Sequence, residues 1–217
     1  MKELPKTAVG DRGSVELVED SVLFSRYGRV VSRCVIYPDG SRHEFDVWSK
    51  NWRSNQEFAI VVPYYSASRT FTLLYEYYPA AHSFHLGLPG GNVDSNRHTS
   101  ILQAAKEELY EEAHLKNGTW YPLLPQSSSG GSSQPGLLND KYQQDWSFPF
   151  LCVDPEQQNS SEFGTDHATF EAEELIEVRM HVPFEKVRSD LLAGRFQANQ
   201  TSTLFFAFEK LKELGLA

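Results

Sequence analysis

Residues 102–115 read LQAAKEELYEEAHL and place Glu107, Glu108, Glu111 and Glu112 within six positions. Just upstream, Ser100 and Gln103 have the spacing of a capping box, which predicts a helix starting there. At about 100° per residue, Leu102, Ala105, Leu109 and Ala113 form one stripe that can face a core. Glu108, Glu111 and Glu112 then fall within roughly 100° of arc beside it, because residues three and four apart are helix neighbours. A helix C-terminus already carries partial negative charge, so carboxylates crowded there repel both each other and the backbone. A hard divalent cation such as Mg²⁺, or Mn²⁺, takes oxygen ligands of this kind and relieves the repulsion. Glutamate is also a good helix former, so a solvated acidic face is the other reading of the cluster by itself.

The preceding segment GLPGG, residues 87–91, supplies glycines whose backbone can approach a ligand closely. A Gly-rich loop feeding a carboxylate helix offers a carbonyl to a metal ion and N–H groups to phosphate oxygens. Taken alone it is equally a Gly/Pro turn. Trp48 and Trp52 can stack on a nucleobase or pack in a core or interface. His82 and His85 point to opposite faces of a strand-like segment, which fits packing or substrate contact better than metal ligation. Tyr75, Tyr77 and Tyr78 read as strand and turn packing, and LFFAF, residues 204–208, as the core of a final helix.

Those residues must be held by elements the sequence also marks. Val, Leu, Ile and Tyr-rich runs at 14–24 and 29–37 are followed by the turn YPDG and SRHEFDVWSK, a hairpin pattern. EFAIVVPYY and TFTLLYEYYP read as two more strands, HLGLPGGNVD as a loop, TWYPLL, WSFPFLCVD and LIEVRMHVPF as later strands. FEKVRSDLLAGRF reads as a helix stopped by Gly194, and TSTLFFAFEKLKELG as the last helix. PQSSSGGSSQPG and the polar run after residue 155 cannot pack a core. Many strands, one central helix and two late ones predict an α+β fold.

The 217 residues are 40% apolar and 13% aromatic, enough for one domain with a core. A net charge of -9 and a pI near 5.3 exclude a generic basic nucleic-acid surface, though a bound cation can still recruit phosphates locally. Cys34 and Cys152 lie far apart in apolar strand contexts and read as reduced, buried thiols of an intracellular protein. No run is long enough to span a bilayer, and no targeting segment is visible; the compartment reads as cytoplasmic, or mitochondrial if a presequence has been removed.

Taken together, LPGGNVDSNRHTSILQAAKEELYEEAHL resembles the Nudix signature, GX5EX7REUXEEXGU with U aliphatic. Glu108, Leu109, Glu111, Glu112 and Leu115 stand at matching positions. LLYEYYPAAHSFHLGLPGG is similar to the strand, X-Arg-Pro turn and ELPAG loop of the ADP-ribose and ADP-sugar pyrophosphatase branch. EAEELIEVRMHVPFEKVRSDLLAGRF is similar to that branch's late loop, strand and helix.

The resemblance implies a Nudix α/β/α sandwich over 57–217, with flexible loops at 125–136 and 156–169, preceded by an N-terminal β extension over 1–56 that forms a homodimer. It implies Mg²⁺ held by Glu108, Glu111, Glu112 and the Gly90 carbonyl. Glu108 and Glu174 become the catalytic residues; Glu174 is the best match to a late-loop glutamate that activates water, with Glu173 and Glu171 as competitors. Tyr78, Gly91, Trp48 and Trp52 become substrate contacts. The implied activity is Mg²⁺-dependent hydrolysis of a nucleoside diphosphate linked to another moiety, an ADP-sugar first. The alternatives are an RNA 5′-end pyrophosphohydrolase in mitochondrial mRNA stability, whose partner protein supplies the basic surface, and a catalytically weakened Nudix domain that binds proteins.

The sequence departs from the pattern at four places. Glu107 replaces the signature Arg, and His114 replaces the glycine after the glutamate pair. The spacing from Gly91 to the helix is two residues longer, putting Thr99 where the first glutamate belongs. Tyr78 replaces the Arg of the X-Arg-Pro turn, which argues against ADP-ribose itself.

Overall fold

The computed structural model describes residues 14–50, 56–124, 136–157 and 175–216. Trp52, Glu171, Glu173 and Glu174, with most of the two low-complexity loops, lie outside the described residues. Strands β1 (Glu16–Ser25), β2 (Arg29–Ile36) and β3 (Arg42–Ser49) form an antiparallel meander of their own. The second connection is the YPDG turn, where Gly40 takes φ 82 and its N–H closes on the Tyr37 carbonyl at 2.9 Å.

The main sheet begins with β4 (Glu57–Tyr65) and β5 (Thr70–Tyr78). Then follow β6 (Ser83–Gly87), β7 (Gly90–Asn92), helix α1 (Ile101–Ala113), β8 (Leu115–Lys116), β9 (Thr119–Pro122), β10 (Leu137–Leu138), β11 (Trp146–Val153) and β12 (Glu156–Gln157). The chain ends with β13 (Ile176–Pro183), α2 (Phe184–Leu192) and α3 (Ala198–Glu213). The central order is β10-β11-β4-β5-β13, with β11 parallel to β4, while β8 and β12 pair separately.

Side chains alternate across a strand, and β4 uses both directions. Ile60, Val62 and Tyr64 enter one cluster with Leu204, Ala207, Phe208 and Leu211 of α3 and with Val187 and Leu191 of α2. Ala59 and Val61 enter another with Ala104, Ala105, Leu109 and Ala113 of α1. The sheet is therefore buried on both faces, and the architecture is α/β/α. The LFFAF segment is core only in part: Leu204, Ala207 and Phe208 are buried, whereas Phe205 and Phe206 lie on the solvent side of α3. Three-residue spacing cannot bring five consecutive side chains inward.

The stretch read as a loop, HLGLPGGNVD, is mostly strand. β4 and β5 pair directly only at Tyr64–Phe71 and Tyr65–Thr70 and then part. β6 fills one side of the opening by pairing with β5, and β7 the other by pairing with β4. The split is what positions the site, because it leaves Gly90 and Gly91 in the sheet directly under α1.

Candidate metal and substrate site

The capping box forms, with one change of partner. Ser100 is extended (φ -158) and its Oγ accepts from Gln103 N–H at 3.1 Å. The Gln103 carboxamide oxygen reaches back to Thr99, accepting from its N–H at 2.8 Å and its hydroxyl at 2.7 Å. At the other end His114 takes φ 57 and donates its N–H to the Tyr110 carbonyl at 3.0 Å. The signature's glycine position is thus a left-handed cap, here held by a residue that bears the Cβ penalty.

Ala104, Ala105, Leu109 and Ala113 are buried, while Leu102 is only half-buried. At about 100° per residue, Glu108 and Glu112 project between Ala104 and Ala105, inside the buried arc rather than beside it. Two alanines here let the helix lie close to the sheet, so short carboxylates reach β7. Glu112 Oε2 accepts from the Gly90 N–H at 2.8 Å. The Glu108 carboxylate lies over Gly91, where an added Cβ would meet its Oε2 at 2.5 Å. Gly90 is packed against β4, where a Cβ would run into the Ala59 carbonyl and come within 3.1 Å of Ile60 Cα.

Glu111 turns elsewhere. It is exposed, and its Oε1 lies 3.5 Å from the Arg97 guanidinium. Glu107 is held by its neighbours: Oε1 accepts from Gln103 Nε2 at 2.8 Å, and Oε2 lies 3.1 Å from His98 Nε2. Buried His98 accepts the Asp94 N–H at Nδ1, 2.9 Å away, so its proton sits on Nε2 and is donated to Glu107.

Tyr78 lies at the end of β5 on the same face as Leu74, which packs beneath α1. Its hydroxyl donates toward Glu76 Oε1 at 3.3 Å and sits 3.5 Å from Gln200 Oε1. Burial, then the Glu76 carboxylate and in smaller part Glu112, push the phenol well above its ordinary value, so it remains a donor. Glu76 Oε1 in turn lies over Gly87. Trp48 is exposed; its backbone N–H and carbonyl bond Tyr142 and Gln144, so β3 places it against the 142–144 segment. His82 Nδ1 pairs with the Tyr77 hydroxyl and the His85 ring packs on Tyr78 at 5.2 Å.

Sequence reasoning missed Glu76, Arg97 and His98. Strand alternation could have found Glu76, since it shares a face with Leu74 and Tyr78. No local pattern marks Arg97 or His98. Among the described residues, no three Asp, Glu, His or Cys side chains are gathered as a metal-binding group. The donors at β7 are oxygens, which suits a hard cation, and Gly91 leaves the room in which a Cβ would displace Glu108.

The split sheet, its two helical layers and the carboxylate helix across the split define a Nudix-type α/β/α sandwich with an N-terminal β extension. A crystal structure of an ADP compounds hydrolase is similar to it, with a TM-score of 0.62 and 20% identity, over 93% of this chain and 99% of that one. The likeness is one of fold. No family model matches the sequence, and no curated protein matches it either. Among the described residues no helix is long and apolar enough to cross a membrane.

Proposed function

We propose that the chain is a divalent-cation-dependent hydrolase of a nucleoside diphosphate linked to a second moiety, with ADP-sugars as the first class to test. The observation that carries this reading is the placement of Glu108 and Glu112 against Gly91 and Gly90 in the sheet split. The fold's likeness to an ADP compounds hydrolase supports it. With a net charge of -9 the chain repels a diphosphate, so recruitment needs a local cation. Mg²⁺ or Mn²⁺ bound there would supply that charge and polarise the attacking water. Glu108 and Glu112 would hold the ion, with Glu111 and the Gly90 carbonyl as further candidates, and the Gly90 N–H keeps Glu112 oriented. Glu174 would take the water's proton. Tyr78 puts a neutral phenol where the family pattern has a guanidinium, which favours a neutral, hydroxyl-bearing distal group over an anionic one.

Homodimerisation through the N-terminal extension belongs to the same reading. It is supported by β1, where Leu17, Val22, Leu23 and Phe24 are all exposed. A second reading, a Nudix-type binding module without turnover, is favoured by Glu111 lying on Arg97 rather than with the other carboxylates. The test is incubation with Mg²⁺ and a panel of ADP-ribose, ADP-glucose, UDP-glucose, dinucleoside polyphosphates and 5′-triphosphorylated RNA, read by mass. Release of a nucleoside monophosphate that Glu112→Gln abolishes supports the hydrolase. No turnover across the panel favours the module.

A further inference from the structure

Helix α1 carries four carboxylates on two turns, and they divide into two pairs. Glu108 and Glu112 point to β7, whereas Glu107 and Glu111 point to the turn before the helix. That turn includes the two extra residues between Gly91 and α1, and it brings Arg97 to both members of the outer pair. The Arg97 guanidinium lies 3.5 Å from Glu111 Oε1 and 3.8 Å from Glu107 Oε2. The turn is not free to swing away. Asp94 accepts the Asn96 N–H at 2.9 Å, and His98, with only 3% of its side chain exposed, is bonded to the Asp94 N–H on one side and Glu107 on the other.

We propose that Arg97 is a positioning residue that draws Glu111 away from the cation face of α1, leaving Glu108 and Glu112 as the resting ligands. The inference rests on the hydrolase reading in that it takes a divalent cation to bind at β7. Two independent effects give it a sign. A fixed positive charge near a cation site weakens cation binding through Coulomb repulsion. A carboxylate engaged by a guanidinium is also less available as a ligand. Removing Arg97 therefore strengthens cation binding, whereas a residue that merely braced the helix would weaken it when removed.

The experiment is calorimetric titration of Mg²⁺, and separately of Mn²⁺, into the full chain without substrate. The variants are R97A, R97K, E111Q and R97A/E111Q. The Arg97 side chain is 61% exposed, so its replacement leaves folding intact, and a thermal melt of each variant verifies this. R97A is expected to bind either ion about threefold tighter or more. R97K retains the charge and stays within about twofold of wild type. In R97A/E111Q, measured against E111Q, the gain shrinks to the smaller part that removal of the positive charge alone gives, because the released carboxylate produces the rest. Weaker or unchanged binding by R97A overturns the proposal, as does a gain of R97A/E111Q over E111Q as large as that of R97A over wild type. If wild type binds no ion while R97A does, the proposal stands and the resting chain is not a loaded hydrolase. If neither binds, both the proposal and the metal-dependent reading fail.

Discussion

The backbone N–H of Gly90 donates to Glu112 at 2.8 Å, tying strand β7 to helix α1 across the opening between β4 and β5. The adjoining glycine has a different relation to the same helix. A Cβ at Gly91 meets the Glu108 carboxylate first, whereas one at Gly90 meets β4 backbone. Gly91→Ala should therefore displace a flexible carboxylate at a cost below about 1 kcal/mol, while Gly90→Ala should cost about 1–3 kcal/mol as overpacking. Urea unfolding separates the two. Mn²⁺ titration should then show G91A losing cation affinity although it stays folded; wild-type affinity in G91A would mean that Glu108 is not a ligand.

His98 joins the pre-helix turn to α1 through both ring nitrogens. Its replacement by Ala leaves the Asp94 N–H and a Glu107 oxygen without this partner inside a packed turn. An unsatisfied buried polar group costs about 1–3 kcal/mol, so H98A should lower stability by that amount. A loss below about 0.5 kcal/mol in urea unfolding would show that water replaces the imidazole.

Alkali should destabilise the fold, and two groups contribute. Burial pushes the Cys152 thiol up to about 12 from its ordinary 9.0, and burial first, then Glu76, raises the Tyr78 phenol above its ordinary 10.0. Each holds its proton more tightly folded than unfolded. The stability they contribute is complete below the unfolded values and is lost as pH rises past about 9 for Cys152 and about 10 for Tyr78. The urea midpoint should fall between about pH 8 and about pH 11, and C152A and Y78F should each flatten the decline. A parallel decline in both variants would assign the alkaline loss to other groups.

Much of the fold can be read from local chemistry. The Ser100 cap, the YPDG turn and the apolar runs of β4 and β11 need only their own neighbours to be recognised. What could not be read depends on partners far away in sequence. β6 and β7 are strands only because β4 and β5 separate and leave edges to pair with, so a Gly/Pro composition pointed to a loop. Glu108 and Glu112 lie inside the buried arc because the helix settles on Ala104 rather than Leu102, a choice made by the sheet. Glu107 stands where the signature has an Arg, yet Gln103 and His98 occupy both its oxygens. Sequence could name that residue but not its partners.

The N-terminal meander is joined to the main sheet through a buried carboxylate. Asp145, 3% exposed, accepts from the Ser49 hydroxyl at 2.5 Å, the Lys50 N–H at 2.7 Å and Gln143 Nε2 at 2.9 Å. It stands one residue before β11 and receives the end of β3, so together with the Trp48 backbone bonds to Tyr142 and Gln144 its side chain fixes how the two sheets meet. Asp145→Ala strands these donors and should cost about 3 kcal/mol or more, in the range for breaking a buried charged network. The loss should be uneven. Amide exchange should rise in β2 and β3 more than in β4 and β11, whose pairing does not pass through Asp145. Uniform acceleration across both sheets would instead show that they unfold as one unit, with Asp145 contributing to global stability rather than to the joint.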